Sequence, residues 1–441
     1  MKEKFEMLRE KYPKIIYKDY QMVDEEENMR IIYHFEIPSL CKFNPYLLIS
    51  KKSIVNDNVD LRLLNSIIFR LGLVELISYY KSVCPKTIEI RAGYIDEYEK
   101  KWFKKLFYNG LGEFFYINKI DISENDLFQF TIKAKEESIP DVLYNGVGNL
   151  IPIGGGKDSI VTLNLLKNCD NKCFMINPKD THYNCAGKLE SYVVKRVIDK
   201  ELLELNRRGF LNGHTPFSAI VAFVSYLVAY LSKRKYIVLS NEGSANEPTV
   251  IGTNINHQYS KTYEFENDFY EYTKKCFKID IQYFSFLRPI KEIQIAYLFS
   301  KLKKYHNVFR SCNVGSKSTS WIWCCNCSKC LFIFIMLRSF MPKNEVVAIF
   351  GENLLDKDSL QKDFLKLVGE ANVKSFECIG TIEEVKYAMN RIIKNDDSYL
   401  SKLYKENYYE DVIIDLSKIY YDNHVIGSYL KILEEAIAGA R

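Results

Sequence analysis

The central part of the chain alternates short apolar stretches with longer ones of helical length. Asn149 to Ile153, Lys172 to Ile176 and Tyr236 to Ser240 are predicted strands, and Ser159 to Lys167 and Thr215 to Leu231 are predicted helices. Strands separated by helices form βαβ units, in which the strands run parallel and helices cover both faces of the sheet. The alternation therefore predicts an α/β fold with a doubly wound parallel sheet, whose ligands bind beyond the carboxyl ends of the strands.

The chain has 441 residues, more than one ordinary core requires, and we expect three parts. Residues 1–145 are predicted to be an N-terminal α+β region that binds substrate. Residues 146–345 form the α/β domain, and residues 346–441 form a mostly helical C-terminal region. The predicted elements of the N-terminal region are strands at Ile31 to Ile37, Lys86 to Arg91 and Glu113 to Ile117 and a helix at Leu61 to Tyr80.

Two helices are predicted in the C-terminal region. Thr381-Ile382-Glu383-Glu384 fits a capping box, because the threonine and the second glutamate can each satisfy a free backbone N–H group at a helix start. Ile426 to Ala438 has the length and apolar content of a second helix.

Composition and charge exclude several classes of protein. With 47% hydrophobic and 27% charged residues, the chain has the balance of a globular protein. Its N-terminus lacks the apolar stretch of a secretory signal, and the longest apolar run, Phe217 to Leu231, is shorter than the roughly 20 residues that span a bilayer. A net charge of +5 suits a phosphate-bearing small molecule without requiring nucleic acid. We therefore expect a cytoplasmic protein with reduced cysteines and neither a membrane nor a nucleic-acid partner.

A run of glycines lies between the first predicted strand and helix of the α/β domain, in the segment Gly154-Gly155-Gly156-Lys157-Asp158-Ser159. Glycines let the backbone approach an anion closely, and the unpaired N–H groups at the start of a helix point towards it. Lys157 adds positive charge, Ser159 a hydroxyl donor, and Asp158 a carboxylate for the Mg²⁺ that accompanies a nucleotide. Asn177 follows the next strand at the same edge and is included in the predicted nucleotide site.

Two more common glycine loops do not fit this segment. A Walker loop requires glycine where this chain has Ile151, and the dinucleotide fingerprint requires glycine where it has Ser159. The segment instead resembles the pyrophosphatase loop (PP-loop) of the adenine nucleotide alpha-hydrolase-like superfamily, the PP-loop ATP pyrophosphatases. The resemblance implies that ATP is cleaved between its α and β phosphates. A glycine-rich turn without a ligand is the alternative.

Four of the twelve cysteines have the spacing of a metal site. These are Cys312, Cys324, Cys327 and Cys330. Four thiolates can close a tetrahedron around a structural Zn²⁺, which leaves Cys325 as a spare. The alternatives are a cysteine acid/base pair, which would suit an amino-acid epimerase, and cysteines buried as small hydrophobic residues. The isolated cysteines, interpreted as packing residues, are Cys41, Cys84, Cys276 and Cys378.

Polar side chains are dense after the third predicted strand of the α/β domain and in the segments that follow it. The candidates for substrate binding are Asn241, Ser244, Asn246 and Arg288. Arg288 could hold a carboxylate or phosphate through a bidentate contact. The candidates for proton transfer are Glu242, His257 and Lys261. Purely structural roles are the alternative for each of these, as they are for Glu264, Glu266 and Asp268 and for His214 and His306.

Seven short segments follow one another in a fixed order: Gly-Gly-Gly-Lys-Asp-Ser, Asn-Glu-Gly-Ser-Ala-Asn, Asn-His-Gln-Tyr-Ser-Lys, Glu-Phe-Glu, Arg-Pro, Ser-Cys-Asn and Trp-Cys-Cys-Asn-Cys-Ser-Lys-Cys. This order resembles that of the UDP-N-acetylmuramoyl-L-alanyl-L-glutamate epimerases, the MurL family. The segments extend from about residue 146 to 345, with a weaker continuation from Phe376 to Glu384. The resemblance implies ATP- and Mg²⁺-dependent inversion of the terminal L-glutamate of a peptidoglycan precursor, a nucleotide-sugar peptide, with formation of AMP and diphosphate.

Such a reaction needs ATP to lower its activation barrier rather than to shift its equilibrium. Removing the α-proton beside a free carboxylate would place two negative charges on adjacent atoms, whereas an acyl adenylate can spread the charge as an enolate. Two other functions share the loop. One is an ATP-dependent amidation or thiolation enzyme acting on a sugar, peptide or nucleobase. The other is a nucleotide-binding regulatory module without turnover, against which the combination of Lys157, Asp158 and Ser159 argues.

Overall fold

The computed structural model of the protein describes residues 2–249, 255–312, 323–371, 377 and 379–440. Within these ranges, eleven strands form one sheet. The strands are β1 (Lys14–Asp24), β2 (Asn28–Ile37), β3 (Cys41–Phe43), β4 (Tyr46–Ser50), β5 (Thr87–Ile90), β6 (Gln129–Ile132), β7 (Asn149–Pro152), β8 (Asn171–Ile176), β9 (Ser191–Val197), β10 (Tyr236–Leu239) and β11 (Gln282–Ser285). Their order is β11-β10-β7-β8-β9-β4-β2-β1-β5-β6, and β3 pairs with β2.

The sheet is mostly parallel and includes strands from both the N-terminal and the central part of the chain. Strands β11, β10, β7, β8 and β9 pair in parallel, as do β1, β5 and β6. Antiparallel pairs join β4 to β9, β2 to β4 and β1 to β2. The boundary between the two parts lies at the β4–β9 pair, where Leu47 is opposite Arg196. The N-terminal region thus extends the sheet that carries the glycine loop.

Sixteen α-helices are described in these ranges. They are α1 (Lys2–Lys11), α2 (Leu61–Tyr80), α3 (Glu97–Gly110), α4 (Gly112–Ile117), α5 (Lys157–Leu165), α6 (Asp180–Ala186), α7 (Lys200–Arg207), α8 (Phe217–Leu231), α9 (Tyr263–Cys276), α10 (Glu292–Ser300), α11 (Ser328–Arg338), α12 (Lys343–Phe350), α13 (Gln361–Val368), α14 (Ile382–Ile392), α15 (Tyr399–Asn407) and α16 (Gly427–Ile437). In the described part of the chain, none of them combines the length and apolarity needed to cross a membrane.

Helices cover both faces of the sheet, and alternate strand residues belong to different cores. Leu150 packs in the core formed with α2, α3, α8 and α9, whereas Ile151 packs in the core formed with α5, α10, α11 and the C-terminal helices. Ile237 and Val238 divide between the two cores in the same way. This alternation is the twofold period of a β-strand with two buried faces. It fixes the β7 end, and therefore the glycine loop, between two helical layers.

Most of the helices and strands that the sequence pattern predicts are confirmed. Leu61 to Tyr80 forms α2 with the predicted bounds, and the capping box of α14 is made, with Thr381 N donating to Glu384 Oε2 at 2.7 Å and Glu384 N donating to Thr381 Oγ1 at 3.2 Å. The predicted strand at Glu113 to Ile117 is wrong, because these residues form α4 and bury Phe114 and Phe115. A short aromatic run has no period long enough to separate a strand from a helix, so tertiary packing decides. Cys378 lies outside the described residues.

Candidate active site

The glycine loop connects β7 to α5 at the carboxyl end of the parallel strands. Gly155 has a φ of 77°, and Gly156 occupies the N-cap of α5. A Cβ atom on Gly155 would lie 3.1 Å from Thr181 Oγ1, and one on Gly156 would lie 3.0 Å from Ser311 Oγ. The left-handed backbone at Gly155 and the close neighbours of both residues favour glycine here. The N–H groups of the first turn of α5 are thereby presented without a capping side chain.

The loop forms one wall of a cavity of about 340 Å³. The predicted site residues that line it are Gly154, Gly156, Asp158, Ser159, Asn241 and Lys261. The apolar part of the lining includes Phe174, Ile176, Phe217, Val221 and Leu239. Two further cations, Arg310 and Lys329, also line it. The cavity therefore combines an apolar surface suited to a nucleobase with a glycine-rich, cationic surface suited to phosphates.

Lys157 neutralises two carboxylates beside the loop, of which Glu292 is buried and Asp158 is partly exposed. Lys157 itself is fully buried and forms ion pairs with Asp158 and, at 2.5 Å, with Glu292. Burial alone would lower the pKa of Lys157, but the charges of the two carboxylates raise it, so the ammonium remains protonated at neutral pH. Lys157 is not among the described residues that line the cavity. Its predicted contact with phosphate stays a prediction, whereas its contact with Glu292 is a feature that the sequence did not indicate.

Asp158, Glu242 and Glu292 form a cluster of acidic side chains, with one oxygen of each lying within 4.8 Å of the others. Glu292 is 2% exposed and Glu242 is 7% exposed. Burial raises the pKa of Glu292, the charges of Asp158 and Glu242 raise it further, and Lys157 opposes both effects. Glu292 Oε2 has no hydrogen-bond partner in the described part of the chain. The cluster thus contains a buried carboxylate, one oxygen of which has no hydrogen-bond partner in the described residues, close to two other acidic groups.

Arg288 lies behind the cavity and fixes two loops of its wall. It is completely buried, and its Nη2 lies 3.0 Å from Glu266 Oε2. Nη1 donates to the carbonyl oxygen of Glu242 at 2.7 Å, and Nη2 donates to that of Lys261 at 2.5 Å. Ser285 N donates to the other oxygen of Glu266 at 3.1 Å. Arg288 therefore holds the backbone of two candidate catalytic residues, and its predicted contact with a substrate stays a prediction.

The remaining predicted binding residues differ in whether they lie at the cavity. Asn241 lines the cavity and donates to Ser285 Oγ at 3.2 Å. Asn177 is exposed and pairs with the backbone of Arg196 through both side-chain atoms, which strengthens the end of the β8–β9 pair. Asn246 is also exposed, and its Oδ1 accepts from the backbone N–H of Tyr263. The other candidate, Ser244, is buried. Of these amide and hydroxyl side chains, the structure brings Asn241 to the cavity wall.

The four cysteines of the predicted zinc site come together. The Sγ atom of Cys324 lies 3.3 Å from those of Cys312 and Cys327 and 3.5 Å from that of Cys330. The Sγ atoms of Cys312 and Cys327 are 3.8 Å apart. Such distances fit the edges of a tetrahedron around an ion with metal–sulfur bonds of about 2.3 Å. Cys325 is turned away, with its Sγ 3.2 Å from the carbonyl oxygen of Phe350, so it is the spare residue that the spacing predicted.

His257 lies beside two residues that the sequence did not assign to the site. Its Nδ1 is 2.7 Å from Glu113 Oε2, and Nδ1 of His214 is 3.2 Å from the same oxygen. The two imidazole centroids are 4.9 Å apart. Because Glu113 and His257 are separated by 144 positions, no local motif could have indicated this cluster.

Two family comparisons cover most of the chain. The MurL N-terminal domain matches residues 6–286, and the MurL C-terminal domain matches residues 308–410. The chain belongs to the MurL family. The first MurL match includes the N-terminal region, where the sequence motifs gave no resemblance. The placement in the pyrophosphatase superfamily stays a prediction.

Three relatives are identical to this chain at about a third of the aligned positions. The UDP-N-acetyl-alpha-D-muramoyl-L-alanyl-L-glutamate epimerase of Xanthomonas oryzae pv. oryzae is 35% identical over 329 residues, which are 72% of each chain. A protein of the same name from a Micromonospora species is 33% identical over 337 residues, which are 74% of each chain. That of Salinispora tropica is 33% identical over 330 residues, which are 73% of this chain and 71% of the relative.

Proposed function

We propose that this protein is an ATP-dependent epimerase that adenylates the terminal L-glutamate of UDP-N-acetylmuramoyl-L-alanyl-L-glutamate, inverts its α-carbon and releases AMP and diphosphate. The observation that carries the proposal is the glycine loop, which forms the wall of a cavity with an apolar part and a cationic part. The names of the three relatives supply the substrate and the inversion.

The cavity offers separate surfaces for the two ends of ATP. Phe174, Phe217 and Leu239 provide an apolar surface, on which the adenine ring can pack without hydrogen bonds. The glycine loop and the first turn of α5 provide backbone N–H groups for the phosphates. Arg310 and Lys329 on the lining compensate the charge of the leaving diphosphate. In this arrangement the α-phosphate lies between the two surfaces, where a substrate carboxylate can attack it.

The acidic cluster of Asp158, Glu242 and Glu292 fits Mg²⁺. Three carboxylates with Lys157 as their buried counter-ion leave a net charge of −2 when all are ionised, which a divalent cation balances. The orphaned Oε2 of the buried Glu292 is an oxygen ligand without another partner in the described residues. Mg²⁺ held there would neutralise phosphate charge during adenylation. Glu242 is then a metal ligand as well as a candidate for proton transfer.

The cysteine cluster fits a structural Zn²⁺ that stabilises the other side of the cavity. Arg310 and Ser311 directly precede the ligand Cys312, and Lys329 directly precedes the ligand Cys330. All three non-cysteine residues line the cavity. Four ligands from two segments complete a closed coordination sphere, which is typical of a structural rather than a catalytic zinc site. The role of the cluster in this proposal is to fix the cationic side chains against the glycine loop.

Adenylation makes the α-proton removable. The glutamate carboxylate attacks the α-phosphate of ATP, and the bond between the α-phosphate and the leaving diphosphate breaks. The resulting mixed anhydride carries no negative charge at its carbonyl, so the electron pair left by the α-proton can move to the carbonyl oxygen. After a proton returns to the opposite face, water hydrolyses the anhydride and releases AMP.

The test is an incubation with ATP, Mg²⁺ and the UDP-sugar dipeptide, in which AMP and the chirality of the glutamate are measured together. We expect AMP and D-glutamate to form in the wild type and both to be lost in Asp158→Asn, which retains the size of the side chain and removes its charge. AMP formation without inversion, or product formation that requires ammonia or a sulfur donor, would instead indicate an amidation or thiolation enzyme.

A further inference from the structure

A cluster of one carboxylate and two imidazoles lies outside the nucleotide cavity but next to its wall. Glu113 Oε2 is shared by Nδ1 of His257 at 2.7 Å and Nδ1 of His214 at 3.2 Å. The side chains of Glu113 and His257 are each 13% exposed. Glu113 comes from α4 in the N-terminal region, whereas the two histidines come from loops of the central region. The cluster thus joins the two parts of the chain.

Helix α4 is locked against the loop that carries His214. A Cβ atom on Gly213 would lie 3.1 Å from the ring of Phe114, so the glycine before His214 packs directly on α4. Asn118 Nδ2, just beyond the end of α4, donates to the carbonyl oxygen of Asn212 at 3.1 Å. These contacts, made by residues that follow Glu113 and residues that precede His214, hold α4 against the loop and support the pairing of the two side chains.

The carboxylate sets the tautomer of both histidines. An ionised carboxylate only accepts hydrogen bonds, so each Nδ1 carries the hydrogen and each Nε2 carries the lone pair. The pKa of His214 is lowered to about 4, mainly because burial disfavours its cation, with His257, Lys81 and Lys261 acting in the same direction against Glu113. His214 therefore stays neutral at neutral pH. Of the two imidazoles, His257 makes the shorter contact with Glu113, at 2.7 Å compared with 3.2 Å for His214.

The surroundings favour this hydrogen-bonded arrangement over a metal site. Two lysines, Lys81 and Lys261, are close enough to His214 to lower its pKa. Lys81 donates to Thr215 Oγ1 at 2.9 Å, next to His214 in the chain. A divalent cation bound by Glu113 and the histidines would be repelled by these ammonium groups. An anionic substrate would be attracted by them.

Two residues of the cavity lining, Lys261 and Glu377, connect the cavity with the cluster. Lys261, four positions after His257, lines the cavity. Glu377 also lines it, and its charge interacts with those of His257 and Glu113. A substrate whose carboxylate is activated at the glycine loop must extend out of the nucleotide cavity. The wall that it meets at Lys261 and Glu377 is the one next to His257.

We propose that Glu113, His214 and His257 form the proton-transfer unit of the epimerase, in which Glu113 of the N-terminal region holds His257 as the base for the α-carbon. This inference rests on the proposed function. The α-carbon–hydrogen bond breaks, the proton passes to Nε2 of His257, and the electron pair moves to the carbonyl oxygen of the adenylate. Glu113 stabilises the imidazolium, and a proton delivered from solvent to the opposite face of the α-carbon completes the inversion. Loss of the first proton to solvent restores His257.

The test separates adenylation from proton transfer. Substrate-dependent exchange of labelled diphosphate into ATP reports adenylation, and uptake of deuterium at the α-carbon in D₂O reports proton removal. In Glu113→Gln we expect diphosphate exchange within about threefold of the wild type, and deuterium uptake reduced about 100-fold or more, as for loss of a positioned base. Glu113→Asp should recover part of the uptake. Glu97→Gln, at an exposed position on α3, is the matched control and should leave both rates unchanged.

A second measurement does not depend on activity. Histidine ¹⁵N NMR should show hydrogen on Nδ1 of both His214 and His257 in the wild type, and loss of this preference in Glu113→Gln. Hydrogen on Nε2 of both rings, or a stoichiometric metal ion that is lost in Glu113→Gln, would overturn the inference. So would equal loss of both exchange rates in Glu113→Gln and Glu113→Asp, because Glu113 would then be structural. Absence of substrate-dependent exchange in the wild type would overturn the proposed function, and this inference with it.

Discussion

Replacing Arg288 by methionine should strongly destabilise the protein, because Arg288 forms a completely buried ion pair. The change leaves Glu266, whose side chain is 2% exposed, as a buried carboxylate without its cation. Breaking a buried ion pair from one side costs about 3–5 kcal/mol. The carbonyl oxygens of Glu242 and Lys261 lose a charged donor at the same time, which places the expected loss towards the upper end. The assay is urea unfolding, with fluorescence and far-UV circular dichroism required to give coincident transitions.

The double variant with Glu266→Gln isolates the ion pair. Because glutamine removes the unpaired charge, the double variant should be more stable than Arg288→Met alone, with a coupling free energy of about 1–3 kcal/mol. Arg207→Met is the matched control, since Arg207 is 76% exposed in its pair with Glu204 and should leave the unfolding midpoint unchanged. A loss below about 1 kcal/mol in Arg288→Met, or strict additivity in the double variant, would refute the reasoning.

Three further predictions concern the metal, the C-terminal region and pH. Cys327→Ser should lose one equivalent of zinc by elemental analysis whereas Cys325→Ser keeps it, and equal zinc content in both would contradict the assignment. Gly243→Ala should destabilise the protein by about 1–3 kcal/mol, because the new Cβ would lie 2.0 Å from the ring of Tyr421, and an unchanged melting temperature would count against this packing. His214 has its pKa lowered to about 4 by burial, so its contribution to stability is present above its unfolded pKa of about 6.5 and is lost as pH falls towards about 4. An NMR titration of His214 near its ordinary pKa would contradict this.

Features that depend on residues close together in the chain could be predicted from the sequence. The glycine loop, the capping box at Thr381 and the four cysteines each depend on local spacing, and the structure brings their residues together as expected. The alternation of strands and helices predicted the parallel part of the sheet for a similar reason. It did not indicate that N-terminal strands continue the same sheet, because the pairing of Leu47 with Arg196 depends on contacts 149 positions apart.

The sequence did not indicate which charged side chains are buried or which of them form pairs. Glu292 lies at the start of a helix whose pattern is that of a core helix, and its role depends on Lys157 reaching it from another element. The partner of Arg288 is Glu266, which the sequence could equally assign to a solvated helix face. Opposite charges at distant positions become identifiable as pairs once the fold places both in an interior with few other partners. The same reason applies to Glu113 beside His257.

The central claim is that adenylation of the substrate carboxylate permits exchange of its α-proton, and one incubation in D₂O tests it most directly. The protein, ATP, Mg²⁺ and UDP-N-acetylmuramoyl-L-alanyl-L-glutamate are combined, and AMP, product mass and glutamate chirality are followed in the same sample. The account predicts D-glutamate that carries one deuterium at the α-carbon and appears together with AMP, and no deuterium uptake when ATP is omitted. Inversion or deuterium uptake without ATP, or AMP formation with the glutamate left unlabelled and in the L configuration, would contradict it.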